Sequence, residues 1–157
     1  GALKGTAYAG ISGDSHAFVA ALADTANALC RPAKLHFVLQ EQWQGQFLCA
    51  APELSRALEN MLDNAVRYTP AGGTVTLTIS KADGDVAFTV TDTGPGFTPE
   101  ALHKAGQFLY TDAARPCNGH QGLGLYLARS VAQAHVGKLV LANTGTGAQV
   151  QLCLPMQ

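Results

Sequence analysis

Apolar positions along residues 52–68 recur at helical spacing: Leu54, Leu58, Met61, Leu62 and Ala65 fall on one stripe at about 100° per residue. Pro52 suits a first helical position, because its missing N–H would find no partner there. Beside the stripe, Asn60, Asn64, Arg67 and Tyr68 follow at i, i+4, i+7 and i+8, so two carboxamides, a guanidinium and a phenol line one edge. Taken alone, that edge reads either as an exposed polar face or as the wall of a site.

The remaining periodicities alternate between helix and strand. Residues 1–13, rich in Gly, Ala, Thr and Ser, have no period and read as an extended lead-in strand or a remnant foreign to the fold. Asp14 or Ser15 can cap a helix starting near His16, in which Phe18, Val19, Leu22, Ala26 and Leu29 keep helical spacing until Arg31-Pro32 ends it. Residues 35–39 and 46–50 read as short strands with Gln44-Gly45 turning between them. After the break at Pro70-Ala-Gly-Gly73, residues 74–80 alternate strictly, with Val75, Leu77 and Ile79 on one face. Asp83-Gly84 predicts a tight hairpin, and the returning strand puts Val86, Phe88 and Val90 inward with Thr89 and Thr91 outward. Residues 99–104 suit a short helix, after which the pattern dissolves up to residue 120. Such an irregular stretch inside a compact domain predicts a functional lid, at about residues 98–121, or a disordered loop. A helix over residues 123–134, apolar on most of its circumference and so expected to be well buried, and a hairpin of residues 139–141 with 149–154 complete the chain.

The alternation decides the architecture. A sheet covered on both faces would show continuous apolar runs, whereas these strands carry a Thr, Ser and Gln face suited to water. Helices are therefore expected on one face only. The predicted fold is a two-layer α/β sandwich with a mixed, mostly antiparallel sheet, formed by residues 1–157 as one domain.

Composition narrows the functional classes. Of 157 residues, 47% are hydrophobic and 13% charged, the balance of a globular domain able to bury a core. A net charge of −1 and a pI near 6.5 offer no electrostatic attraction to nucleic acid or to an acidic membrane surface. No apolar run approaches the roughly 18 residues that cross a bilayer, and no signal peptide is visible. Cys30, Cys49, Cys117 and Cys153 are scattered without a C-x-x-C pair, and Cys30 and Cys49 read as small core fillers in a reducing compartment.

Three stretches carry chemistry. Asp92 shares the inward phase of Val86, Phe88 and Val90, which buries a carboxylate at the strand end and requires a donor for it. That donor is either a ligand amine or the backbone of the turn Thr93-Gly-Pro-Gly-Phe97, where Gly94 and Gly96 permit positive φ or close approach. Gly119-His-Gln-Gly-Leu-Gly-Leu125 opens the last helix, where free N–H groups and the helix dipole favour anions. No Lys follows those glycines, so this is not a Walker loop.

An Asn-bearing helix, then Asp-x-Gly-x-Gly-Phe, then Gly-Leu-Gly-Leu, in that order over nearly the whole chain, resembles the catalytic ATP-binding domain of sensor histidine kinases. That domain belongs to the GHKL superfamily, with gyrase, certain chaperones and mismatch-repair ATPases. The resemblance implies that Asp92 holds adenine, with Gly94, Gly96 and Phe97 around it and Tyr68 beside the ring. It implies that Asn64, of the Asn64-Ala65 dipeptide, ligates Mg²⁺, with Asn60 reaching the same site. Arg67 takes the place of a phosphate-contacting base, although an ion pair with Asp63 or Glu59 is an alternative for it. Gly122, Leu123, Gly124 and Leu125 receive the polyphosphate. Gly145 and Gly147 match the family's last glycine box, and a plain hairpin turn explains them equally well.

The chain departs from the family pattern at His120, where another Gly is usual, and at Tyr110, where an Arg is common, while Phe108 fits. Lid contacts to phosphate then fall to Lys104 or Arg115. The expected function is to bind Mg-ATP and pass its γ-phosphoryl group to a histidine on a dimerisation and phosphoacceptor helical domain absent from this chain. A response regulator then receives the phosphoryl group, and the setting is the cytoplasmic part of a membrane-bound bacterial sensor. The alternatives are a hydrolysing GHKL ATPase, a serine kinase or a degenerate nucleotide-sensing adaptor. Hydrolysing relatives need a Glu one turn before the magnesium Asn, where this chain has Asn60; Glu59 points about 100° away.

Overall fold

The structure, a computed structural model, describes residues 11–104 and 121–156. The expected lid residues Phe108, Tyr110, Arg115 and His120 lie outside the described residues, as does Cys117. The elements follow in the order β1 (Ile11–Asp14), α1 (Ser15–Ala33), β2 (His36–Glu41), β3 (Gln46–Cys49), α2 (Ala51–Tyr68), β4 (Thr74–Ala82), β5 (Asp85–Asp92), α3 (Pro99–Lys104), α4 (Gln121–Ala134), β6 (Lys138–Asn143) and β7 (Ala148–Pro155).

Five strands form the main sheet in the order β2-β4-β5-β7-β6. Only the β2–β4 pair is parallel; β4–β5, β5–β7 and β6–β7 are antiparallel. The strands flanking Gln44-Gly45 do not pair with each other: β3 pairs with β1 in a separate two-stranded sheet. Both central residues of the β4–β5 turn have positive φ, Asp83 at 54° and Gly84 at 80°, as a two-residue type I′ hairpin requires.

Helices α1, α2 and α4 pack on the inward face of the sheet. Leu54, Leu58, Met61 and Leu62 of α2 are fully buried against Val75, Leu77, Ile79, Phe88 and Leu152 of the strands. The rings of Phe18, Phe47 and Phe88 meet with centroids 5.8 to 6.0 Å apart and fix α1 and the small sheet to β5. Among the described residues no helix is long and apolar enough to cross a membrane.

Three local expectations need correction, while Cys30 and Cys49 behave as the core fillers expected. Pro32 does not end α1 but sits in its last turn, where its missing N–H removes a single bond; the helix stops at Lys34, whose φ of 61° is left-handed. Thr89, expected outward and wet, is 8% exposed because Gln151 covers it, donating from Nε2 to Thr89 Oγ1 at 3.0 Å. Helix α4 is less buried than its composition suggests: Ala128, Val131 and Ala132 are buried, whereas Tyr126 is 51% exposed. Cys30, Cys49 and Cys153 are free and buried, and burial raises all three thiols, that of Cys49 to about 11.

Candidate functional site

Helix α2 positions the first group of side chains. Asn64 is only 7% exposed, although it belongs to the polar edge of the helix, so this edge is turned into the protein at that point. Asn60 and Tyr68 are half-buried. Arg67 lies on the exposed margin, where its Nη2 donates to Asp63 Oδ2 at 3.1 Å. The ion-pair alternative for Arg67 is therefore realised in this structure. An exposed i,i+4 pair of this kind is worth about 0.3–0.5 kcal/mol, little enough for a stronger anion to displace it.

Strand β5 delivers Asp92 at its inward end, 5% exposed. Its Oδ1 accepts the Gly94 N–H at 2.9 Å and the Ala148 N–H at 3.3 Å. Two backbone donors thus offset part of the cost of burying the carboxylate and fix its orientation. The turn-capping role expected as one alternative is present, and it aims the carboxylate without excluding a further donor from a ligand. Gly94 lies against the carbonyl of Tyr68, so the turn after β5 meets the end of α2.

The β6–β7 hairpin supports this turn from the other side. Gly147 passes so close to Asp92 that a Cβ would collide with the Asp92 carbonyl oxygen, whereas Gly145 has open space around it. Of the two glycines singled out in the sequence, only Gly147 is in tight contact. Asn143, at the end of β6, accepts the Phe97 N–H at Oδ1 and donates from Nδ2 to the Phe97 carbonyl, both at 2.7 Å. Phe97 is 7% exposed, and Gly96 before it has a φ of 80°. Neither Asn143 nor Ala148 was legible as a site residue, since an Asn at a strand end and an Ala after a turn carry no pattern.

Helix α4 closes the site. It packs along α2, and its C-terminal end meets the start of α2 through a 3.1 Å hydrogen bond from the Ala50 N–H to His135 Nε2. Two helices that pack along their lengths with the end of one at the start of the other run antiparallel. At about 1.5 Å per residue, the 14 residues of α4 reach back about 21 Å, to the level of Asn64. The antiparallel course of α4 directs its first turn, with Gly122, Leu123 and Gly124, toward the Asn-bearing half of α2, and Leu125 packs partly buried on the core.

Chemically, the arrangement offers an oriented carboxylate, two carboxamide oxygens and the N–H groups at a helix start. No group of three or more His, Cys, Asp or Glu stands together among the described residues. Carboxamide oxygens are hard donors of the kind that Mg²⁺ accepts alongside water and ligand oxygens.

A family model described as histidine kinase-, DNA gyrase B-, and HSP90-like ATPase matches residues 49–157. The chain belongs to this family. Among curated relatives it is 43% identical over 107 residues to the sensor histidine kinase SpaK of Bacillus subtilis, an alignment covering 66% of this chain and 23% of that protein. It is 37% identical over 105 residues to the histidine protein kinase DivJ of Caulobacter vibrioides, covering 66% of this chain and 18% of that protein. The chain thus spans less than a quarter of either relative. Its fold is that of the family's solved catalytic domains: the catalytic domain of the histidine kinase ThkA superposes with a TM-score of 0.82 at 18% identity, covering 94% of this chain and 95% of that one. Full-length ShkA in complex with AMPPNP superposes with a TM-score of 0.81 at 26% identity, covering 95% of this chain and 31% of that one. The match starts at Cys49, just before α2, so all the site residues described above fall inside the family region.

Proposed function

We propose that this chain is the ATP-binding catalytic domain of a sensor histidine kinase, which holds Mg-ATP and presents the γ-phosphoryl group to a histidine on a separate helical domain. The observation that carries the reading is the buried carboxylate of Asp92, oriented by the Gly94 and Ala148 N–H groups at a turn that meets the end of the Asn-bearing helix α2. In this arrangement Asp92 accepts the adenine amine, Tyr68 and Phe97 flank the base, and the first turn of α4 donates N–H groups to the phosphates. Asn64, assisted by Asn60, would hold Mg²⁺, which when bound neutralises phosphate charge. Arg67 leaves Asp63 to meet phosphate oxygens.

Transfer to a protein acceptor is favoured over hydrolysis by the position of Glu59. Its carboxylate accepts from Ser55 Oγ at 3.3 Å, one turn back along α2, and Asn60, which follows it, carries no carboxylate to activate water. Positioning and charge neutralisation then supply most of the catalysis. The partners of this reading are a dimerisation and phosphoacceptor helical domain and, downstream, a response regulator; the setting is the cytoplasmic part of a membrane-bound bacterial sensor.

The test is a titration of the chain with ATP, ADP and GTP, followed by transfer from radiolabelled ATP to a supplied helical acceptor domain. Adenine nucleotides should bind in preference to GTP, whose guanine carbonyl would face the Asp92 carboxylate. Equal GTP affinity would overturn the adenine site, and ATP hydrolysis without transfer would overturn the kinase.

A further inference from the structure

We propose that Asn143 is a positioning residue for the nucleotide, clamping the turn of residues 92–97 so that Asp92 keeps the geometry that adenine binding needs. The inference rests on the reading of Asp92 given above and extends it to a residue that touches no ligand.

The sheet itself stops short of this turn. The β5–β7 ladder ends at the pair Thr91–Gln149, and the β6–β7 ladder ends at Asn143–Ala148. Beyond that point the Asn143 side chain serves Phe97 as a neighbouring strand would. Its carboxamide donates to the Phe97 carbonyl and accepts the Phe97 N–H, both at 2.7 Å. A carboxamide is suited to serving both backbone groups of one residue at once. Gly96, at a φ of 80°, lies directly against Asn143 Oδ1, where a Cβ would come within 2.9 Å, so turn and side chain fit together.

The same hairpin grips the other end of the turn. Ala148 donates to Asp92 Oδ1 at 3.3 Å, and Gly147 packs against the Asp92 backbone. The hairpin is itself stiffened by Thr144, whose N–H donates to the Gly147 carbonyl at 2.8 Å and whose Oγ1 accepts the Gly147 and Thr146 N–H groups at 3.1 Å. Asp92 and Phe97 are thus held from one rigid hairpin. Removing the Asn143 carboxamide takes two backbone hydrogen bonds from the far end of the turn and loosens the aim of the carboxylate, although β5 remains intact. Misplacement of a binding group by about 1 Å is enough to lose much of a ligand's affinity.

The experiment compares the wild-type chain with Asn143→Ala and Asn143→Asp, reading nucleotide affinity by calorimetric titration and amide exchange by NMR. Asn143→Ala should bind ATP and ADP about tenfold more weakly, with faster exchange at the Phe97 amide and unchanged exchange at Phe88 and Val90. Asn143→Asp keeps the acceptor, but its carboxylate faces the Phe97 carbonyl without a proton to donate. Its affinity, as a ratio to wild type at each pH, should recover as the introduced carboxyl protonates, and that of Asn143→Ala should not. A purely structural role would lower the thermal midpoint and leave affinity and its pH profile alone. Wild-type affinity in either variant at neutral pH, with Phe97 exchange accelerated, would overturn the proposal by itself. If Asn143→Ala does not fold, Asn143→Asp decides on the same readouts. Failure of the reading of Asp92 looks different: Asp92→Asn would then bind ATP like wild type, and this proposal would go with it.

Discussion

His135 joins the end of α4 to the start of α2: its Nε2 accepts the Ala50 N–H at 3.1 Å while its Nδ1 faces the Val131 carbonyl at 2.9 Å. An amide N–H can only donate and a carbonyl can only accept, so the proton sits on Nδ1. Ala50 is the N-cap of α2 and supplies no side-chain cap, which makes the imidazole the fixed point at the head of the helix. His135→Ala leaves a buried N–H unpaired and a hole between two helices. The expected loss is about 2–4 kcal/mol. Urea unfolding followed by the fluorescence of Trp43, the single tryptophan, measures it.

One residue further on, the chain is strained. Val136 has a φ of 60°, a conformation unfavourable for a β-branched residue, and it is 63% exposed. It occupies the left-handed position of a Schellman motif, in which the Val136 N–H donates to the Gln133 carbonyl at 3.0 Å and the Gly137 N–H to that of Ala132 at 2.7 Å. Val136→Gly should stabilise the fold by about 1 kcal/mol, because relief of the left-handed strain exceeds the added freedom of the unfolded chain. A lower thermal midpoint in that variant would mean that the valine side chain makes a contact worth more than the strain.

These two neighbours mark what was and was not legible in the sequence. The two-layer architecture, the strand phases and the burial of Asp92 followed from local alternation, a signal each segment carries in itself. Asp92 stood out as a polar group in an apolar phase, whereas Asn64 stood out only through the polar edge beside the stripe and the family resemblance of Asn64-Ala65. Asn143, Ala148 and His135 act by reaching across the fold to a backbone group far along the chain, and no periodicity encodes such a reach. The separate pairing of β3 with β1 was hidden for the same reason.

A pH dependence follows from His16, at the start of α1. Its hydrogen bond to Glu41, with Nδ1 2.9 Å from Oε2, and the charge of that carboxylate raise its pKa above 6.5. A group whose pKa is raised by folding contributes stability that is complete below its unfolded pKa and lost as pH rises through the folded value. The thermal midpoint should therefore contain a component that declines from about pH 6.5 upward, and His16→Gln should remove it. Parallel curves for the two proteins across that range would show that the pair contributes nothing.

Asp92 and Asn64 should separate in their effects on binding. Asp92→Asn retains an oxygen for the Gly94 and Ala148 N–H groups, so the fold should change by no more than about 1 kcal/mol. With that oxygen so engaged, its amide NH₂ faces the adenine amine as a second donor, and affinity for ATP and ADP should fall at least tenfold with or without magnesium. Asn64→Ala should instead weaken only magnesium-dependent ATP binding and transfer. Titrations with magnesium and with a chelator distinguish them, and an Asn64→Ala protein with intact transfer would assign the ion elsewhere.

The last expectation concerns the acceptor. The chain has five histidines, and none is followed by an acidic residue. His16 is bound to Glu41, and His135 is buried with both ring nitrogens engaged. His36 lies on edge strand β2 and His103 on the short helix α3, while His120 lies outside the described residues. None of the four described histidines starts a pair of helices of the kind that presents an acceptor in line with a bound γ-phosphate. These 157 residues by themselves should bind Mg-ATP and incorporate almost no phosphate, and a helical domain bearing an acceptor histidine should restore transfer when supplied in trans or fused in cis. Radiolabelled ATP followed by acid and alkali washes reads the outcome. Stoichiometric label on this chain alone, labile in acid and stable in alkali, would mean that one of its own histidines is phosphorylated, and would reverse the division of labour proposed for the domain.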